Sequence, residues 1–443
     1  MKPFVDIVSV FTDNADRVVD QLELLYDDSQ YLKETIGNLI DKWLSAEDIA
    51  GKRILLKPNW VRHSIKEEDA ICLRTHDSFL LAALEIILIK KPASVVIGDA
   101  PIQGADWDAI APEPLVTTIK VLSQRFKIPV WIKDFRRTIF TPSANRPQID
   151  RSSLDEYLIF DLGHESYLEP VSLVAPNPFR VTCYNPDRLA ESHGPGVHKY
   201  CITKELFNAD VVISLPKIKT HQKAGMTGAL KNLVGLNGDK DYLPHHRIGG
   251  TKVGGDCYPG GNYLRYWAEL AMDQANRHQG AWAYKLWQKL SSLLWRLTFP
   301  GAVHQMAAGW YGNDTTWRMV LDLNKIAMYG NAEGKMCSTP QRTIYSLCDG
   351  IIGGQGNGPL DPDPLPLGLV SFSNHPYMTD ICMAVLMGFD IQKIPLLASA
   401  QELSNQQEVS LYLDNKPITL NTLNNFSIKT VPPAGWAEYL ASS

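Results

Sequence analysis

Cysteine pairing motifs are missing from this sequence. Its seven cysteines, at 72, 183, 201, 257, 337, 348 and 382, are never spaced as Cys-x-x-Cys, which excludes a zinc ribbon and a ferredoxin-type iron–sulfur cluster. Their odd number and scatter fit a reduced, cytoplasmic chain. No run approaches the ~20 apolar residues of a membrane-crossing helix. The opening MKPFVDIVSVFTDNADR places acids where a signal peptide needs an apolar stretch. Excess positive charge is also absent: 43 Lys and Arg against 48 Asp and Glu leave a net charge of −5, which argues against nucleic acid as a partner. Short-period repeats and low-complexity tracts are lacking too. What is present is an ordinary globular composition, 45% hydrophobic over 443 residues, long enough for two or three domains and a core that needs no staples.

The order of patterns predicts an α/β fold. PFVDIVSV (3–10), RILLKPNW (53–60) and SVVIGDAP (94–101) read as strands, and DSFLLAALEIILIKK (77–91) has helical spacing that Pro92 stops. NADVVISLP (208–216) and RTIYSLCDG (342–350) begin and extend a second series, with LGLVSF (367–372) and the helix YMTDICMAVLMG (377–388) after it. The expectation is two parallel-sheet, Rossmann-like units around a cleft, at 1–133 and 206–400. An irregular β-rich insertion with runs such as YLIFDLG and PVSLVAP occupies 134–205. A Trp-rich helical insertion (262–328) holds six of the eleven tryptophans, and a small β-rich tail follows at 401–443. Ligands of parallel sheets gather at the carboxyl ends of strands, so Lys57, Asn59 and Asp99 are candidates by position.

The stretch SLPKIKTHQKAGMTGALKNLVG (214–235) is the densest in chemistry. Lys217, Lys219, His221, Lys223 and Lys231 follow an apolar strand, and GMTGALKNLVG (225–235) reads as a small-residue helix whose amino terminus favours an anion. His221 suits acid/base work near neutral pH, and Lys231 suits a cation or an amine nucleophile. The competing reading is a solvated basic loop capping a surface helix. The glycines of CDGIIGGQGNGPLDPDP suggest a phosphate cradle around Gly356 and Asn357, without Walker or dinucleotide spacing; a tight structural turn is the alternative. The His pair in GDKDYLPHHRIGG points to opposite sides of an extended loop. His245, His246 and Asp349 are the candidate metal ligands, with Asp99 and Asp256 as further oxygen donors. Asp380 reads as a helix cap, and Asp314 with Arg318 as an i,i+4 ion pair. The helix Gln279 to Phe299, mixing Trp282, Trp287 and Trp295 with Lys285, Lys289 and Arg296, suits packing on its own domain, a substrate lid or a membrane interface.

LLKPNW (55–60), VVIGDAP (95–101), ADVVISLPKIKTHQKAGMTGALKNLVG (209–235), PHHR (244–247), GNDTTWR (312–318), CDGIIGGQGNGP (348–359) and LMGFD (386–390) together resemble the domain of unknown function family 362. Several members of that family carry a ferredoxin-like run of cysteines, which this chain lacks. The central stretch is also similar to lactate racemase and its relatives. That resemblance implies an active site between two α/β halves. His221 would match their first His, Lys231 the Lys that attaches a nickel-pincer nucleotide, and His245 or His246 the nickel ligand. The racemases use a further His where this chain has Gly98-Asp99-Ala100-Pro101, so no such adduct is expected. A loosely held magnesium or manganese ion is the expected metal, if any.

The functional expectation is an enzyme acting on a small anionic metabolite, carboxylated or phosphorylated, by proton transfer or isomerisation. Lys57, Asn59, Lys217, Lys219, Lys223, Asn232, Gly356 and Asn357 would bind it, with His221, Lys231 and Asp99 carrying the chemistry. The alternatives are a non-catalytic module for nucleotides or phosphorylated ligands, and a peripheral protein touching a membrane through the Trp-rich helix.

Overall fold

The apolar runs are rich in β-branched residues, which suit a pleated surface. RILLKP, SVVIGD and VVISL are buried almost throughout, as in a parallel sheet covered by helices on both faces. The computed structural model describes residues 2–11, 17–66, 70–174, 178–298, 308–404 and 408–439. Its central sheet has twelve strands: β1 (Phe4–Ser9), β2 (Arg53–Pro58), β3 (Ser94–Asp99), β4 (Val130–Asp134), β5 (Val211–Leu215), β6 (Lys217–His221), β7 (Gly225–Thr227), β8 (Ile344–Asn357), β9 (Asp361–Leu365), β10 (Leu369–Ser373), β11 (Ser410–Leu413) and β12 (Lys416–Pro417). The order is β12-β11-β1-β10-β8-β5-β2-β3-β4. Strand β6 pairs with β7 and β8, and β9 with β8.

From β8 to β4 the main ladder is parallel. Strand β10 joins it antiparallel, with Leu347 opposite Phe372, and β1 pairs antiparallel with β10 on the other side, with Asp6 opposite Phe372. The strands expected in two units therefore share one sheet. Val211–Leu215 is fully buried and hydrogen-bonds directly to β2, Val212 opposite Leu55. Two such strands lose least polar backbone by pairing with each other, so they do not form separate sheets facing a cleft.

The main helices are α1 (Ser29–Trp43), α2 (Asp77–Ile89), α3 (Glu113–Phe126), α4 (Ala229–Asn232), α5 (Tyr263–Arg277), α6 (Ala283–Thr298), α7 (Thr316–Tyr329) and α8 (Pro376–Leu386). Alternation along the strands divides the core. Ile54, Leu56, Val95 and Ile97 pack with Ile36, Ile40, Leu84 and Leu88, whereas Leu55 and Val212 pack with Leu230, Leu233, Val320 and Ile326. Helices α5 and α6 form an antiparallel hairpin in the expected Trp-rich stretch. Trp295 is buried there against Tyr258, with ring centroids 5.7 Å apart. Phe299 lies outside the described residues. PVSLVAP, read as β-like, begins instead as a helix over Glu169–Val174. Among the described residues no helix is long and apolar enough to cross a membrane.

Candidate functional site

The carboxyl ends of β2 and β3 meet in a buried polar network. Lys57 Nζ donates to Asp99 Oδ1 at 2.8 Å, to the Pro58 carbonyl at 3.0 Å and to Asn232 Oδ1 at 3.3 Å. Asp99 also accepts from the backbone N–H groups of Trp60 (2.7 Å) and Ala100 (2.8 Å). Asn59 Nδ2 donates to Asn232 Oδ1, and Asn232 Nδ2 donates to the Lys57 carbonyl and to Ser214 Oγ. Burial lowers the Lys57 pKa, and Asp99 works against that shift. Gly235 closes the network from above: a Cβ there would lie 1.7 Å from Asp99 Oδ1. Lys57, Asn59, Asp99 and Asn232 are thus brought together as the sequence suggested. Their polar atoms are turned mostly toward one another.

The lysines after β5 are not a solvated loop. They lie on β6, where alternation puts Lys217, Lys219 and His221 on one face, all buried. Lys217 Nζ pairs with Asp349 Oδ2 (3.0 Å) and donates to Tyr26 Oη (2.9 Å). Asp349 in turn accepts from the Tyr26 hydroxyl (2.6 Å) and the His76 backbone N–H (3.0 Å). Lys219 Nζ donates to the carbonyls of Leu73 and Pro359, and burial brings its pKa down to about 7. Both lysines spend their donors on the chain itself. Tyr26 and His76 carry no sequence signal, because only the fold brings them to Lys217.

The expected small-residue helix is shorter than 225–235. Gly225–Thr227 pairs with β6 as β7, and Gly228 interrupts the chain before α4 (Ala229–Asn232). The amino terminus of α4 is already filled by Asp380, which accepts from the N–H groups of Ala229 (2.6 Å) and Leu230 (3.0 Å). An external anion has no place there. Gly228 permits the approach, since a Cβ would stand 2.1 Å from Asp380 Oδ1.

The glycine-rich segment is likewise not an open cradle. Gly353, Gly354 and Gly356 belong to β8 and pair with β9. Gly356 donates to the Val431 carbonyl (2.8 Å). A Cβ on Gly354 would lie 2.7 Å from the Lys219 Cβ, so absent side chains serve strand packing. Asn357 is exposed, with its Oδ1 accepting from Gln222. Neither Gly356 nor Asn357 joins the groups around Asp99.

What remains open is a cluster of four groups: His221, Lys223, Lys231 and His245. His221 Nδ1 accepts from the N–H groups of Lys223 (3.0 Å) and Ala224 (3.2 Å), which places the neutral ring's proton on Nε2. His245 Nδ1 donates to the Leu243 carbonyl (2.7 Å), which leaves its Nε2 as a lone pair. Lys223 and Lys231 are half-buried, and among the described residues their ammonium groups have no hydrogen-bonded or ion-paired partner. Burial, then Lys231, Lys223 and His245, hold His221 well below the usual imidazole range. Burial, then Lys223 and Lys231, do the same to His245. Lys231 comes down to about 7 through burial and the charges of Lys240, Lys223 and Lys57, with Asp99 opposing. Lys223 comes down to about 8, chiefly by burial. Lys240, whose Nζ donates to the Ala100 carbonyl (2.9 Å), comes down to about 8 for the same reason. Lys240 was not singled out in the sequence, though its place five residues before His245 was a usable signal.

The proposed oxygen ligands do not assemble. Asp99 and Asp349 are committed as described. Asp256 accepts from the Arg247 backbone, from the Asp314 N–H (2.9 Å) and from Thr315 Oγ1 (2.6 Å). Asp314 and Arg318 form their ion pair at 3.0 Å. Among the described residues His245, His246 and Asp349 form no common group, and His246 turns toward Glu269. For a nickel-pincer nucleotide, Lys231 and His245 offer open atoms. However, where the racemases use a further His, Asp99 is locked to Lys57, so the residues do not complete that site.

Residues 171–385 match the family described as Domain of unknown function (DUF362). That match runs from the helix Glu169–Val174 into α8 and contains the open cluster. It is 24% identical over 205 residues to the Thylakoid-associated protein sll1697 of Synechocystis sp., an alignment covering 46% of this chain and 40% of that protein's length. A crystal structure of a Thermotoga maritima protein aligns with a TM-score of 0.36 at 9% identity, covering 85% of this chain and 59% of that one.

Proposed function

We propose that the open cluster binds a small carboxylated or phosphorylated metabolite and moves a proton on it. The observation that carries this reading is the set of unspent polar ends: two ammonium groups with no carboxylate partner among the described residues, beside one imidazole N–H and one imidazole lone pair. Uncompensated cations in a half-buried setting favour an anion. His245 Nε2 takes a proton from the substrate, and His221 Nε2–H donates a hydrogen bond to the oxygen where negative charge develops. Lys231 stabilises the same charge, and the Lys57–Asp99–Asn232 network fixes the helix that carries it. Neutral imidazoles suit this division of roles, because burial and then the neighbouring lysines suppress their protonation.

The pH profile tests the reading with the sign determined. Only the protonated Lys231 attracts an anion, and its pKa lies at about 7 in the free protein. Affinity for sulfate, whose own charge is constant in this range, should therefore be highest below pH 7. Above it, affinity should fall by up to roughly tenfold per pH unit. Lys231→Arg stays charged and should flatten the Lys231 component of the profile. Calorimetric titration from pH 6 to pH 9 that shows a flat profile in the wild type would sink the assignment.

A second reading concerns attachment, and it rests on the α5–α6 hairpin. Trp282 (78% exposed), Leu286, Leu290, Leu293 and Leu297 (65% exposed) recur at helical spacing along one side, together with exposed Tyr263 and Trp267. Helix α6 contains Lys285, Lys289 and Arg296 and no acid. An apolar stripe flanked by cations fits an anionic lipid surface, and the cyanobacterial relative is named as thylakoid-associated. Vesicles containing an anionic lipid should co-sediment the wild-type protein, and Leu293→Asp with Leu297→Asp should release it. Equal recovery of the two proteins, or none with either, would refute the contact.

A further inference from the structure

We infer that His246, Cys257 and Glu269 form a zinc-type metal site, distinct from the cationic cluster. His246 lies on a two-residue strand paired with Phe179–Arg180, Cys257 on the loop that follows, and Glu269 on α5. All three are more than nine-tenths buried, and one ligand atom from each lies within 4.8 Å of the others. The Cys257 thiol donates to the Glu269 carboxylate, but that single bond does not satisfy the whole group. His246 Nδ1 and Glu269 Oε1 are buried without a hydrogen-bond partner, and such groups are rare because each forfeits its hydration.

Geometry favours a metal over a distorted hydrogen bond. His246 Nε2 and Glu269 Oε1 stand 3.6 Å apart, too far for a hydrogen bond. Metal bonds of about 2.0–2.3 Å in a tetrahedron place neighbouring donors roughly 3.3–3.6 Å apart. The other carboxylate oxygen, Glu269 Oε2, accepts from the Gly249 N–H at 2.9 Å, so the carboxylate is held in orientation from behind. A cavity of ≈ 20 Å³ borders His246, Glu269, Arg180 and Trp295, room for about one water as a fourth ligand.

Donor chemistry names the ion. One sulfur, one imidazole nitrogen and one carboxylate oxygen suit zinc, whereas magnesium and calcium take oxygen-only shells. With three protein donors and one water-sized position, the ion would tie α5 to the loop carrying the His245–His246 pair. It would thereby hold the hairpin against the wall of the anion site.

Cobalt(II) serves as the probe, added to chelator-stripped full-length protein and then displaced by zinc(II). The expected result is one equivalent bound, with a thiolate-to-cobalt charge-transfer band. Cys257→Ser should abolish that band, and Glu269→Gln or His246→Ala should weaken cobalt binding by roughly tenfold or more. No binding at equimolar cobalt, or a band that persists in Cys257→Ser, overturns the site. X-ray absorption on the zinc-loaded wild type decides the matter if the variants fail to fold. One sulfur with nitrogen and oxygen neighbours supports the site, and a shell without sulfur, or with several, refutes it.

Discussion

Lys231→Ala should weaken binding of sulfate, phosphate or a small carboxylate by roughly 10- to 100-fold without unfolding the protein. Its ammonium has no internal partner among the described residues, so nothing buried is orphaned when it goes, and the loss is that of one charge-assisted contact, about 1.5–3 kcal/mol. Lys219→Ala provides the contrast. Its ammonium is spent on the Leu73 and Pro359 carbonyls, so its removal should disturb packing between β6 and β8 more than affinity. Calorimetry at pH 6.5, where Lys231 is mostly protonated, measures the difference. Undiminished binding in Lys231→Ala would mean that the open cluster is not the anion site. Binding without turnover across a broad metabolite panel would instead favour a non-catalytic module.

Asp349→Ala should lower the stability of the fold by about 3–5 kcal/mol. The carboxylate is fully buried and satisfies three donors: Lys217 Nζ, the Tyr26 hydroxyl and the His76 N–H. Removing it leaves the Lys217 ammonium in the core without a counter-charge, the expensive way to break a buried pair. Replacing both members, with Lys217→Met added, should recover much of the loss, since two apolar groups leave no orphaned charge. Urea unfolding midpoints of the single and double variants check this. A single variant within about 1 kcal/mol of wild type would show that water reaches Lys217, contrary to its complete burial.

Much of the local structure was legible in the order of residues. The strand cores at Phe4–Ser9, Arg53–Pro58, Ser94–Asp99 and Val211–Leu215 were readable because β-branched and apolar runs bounded by Gly, Pro and polar residues have few other stable states. Asp380 was readable as a helix cap, although the helix it serves is α4, far away in sequence. Lys57, Asn59 and Asp99 were found by their position after strands, and Asn232 on the helix that packs over them.

The errors share one cause. Gly353, Gly354 and Gly356 look the same in sequence whether they cradle a phosphate or let β8 press against β6, and only the pairing partner separates the two. Lysines at 217 and 219 read as a basic loop until the strand buries them.

The sequence alone determined where strands and helices begin, which ends carry polar residues, and that one short stretch concentrates lysine and histidine. These are properties of neighbours within a few residues, governed by periodicity and backbone preference. Tertiary structure decided the rest. It merged two series of strands into one sheet, spent Lys217, Lys219, Asp99 and Asp349 on internal partners, and left His221, Lys223, Lys231 and His245 unspent. It also set His246 beside Cys257 and Glu269. Whether a charged side chain binds the protein or a ligand depends on which donors and acceptors lie within about 3 Å of it. Those neighbours come from strands and helices tens to hundreds of residues away.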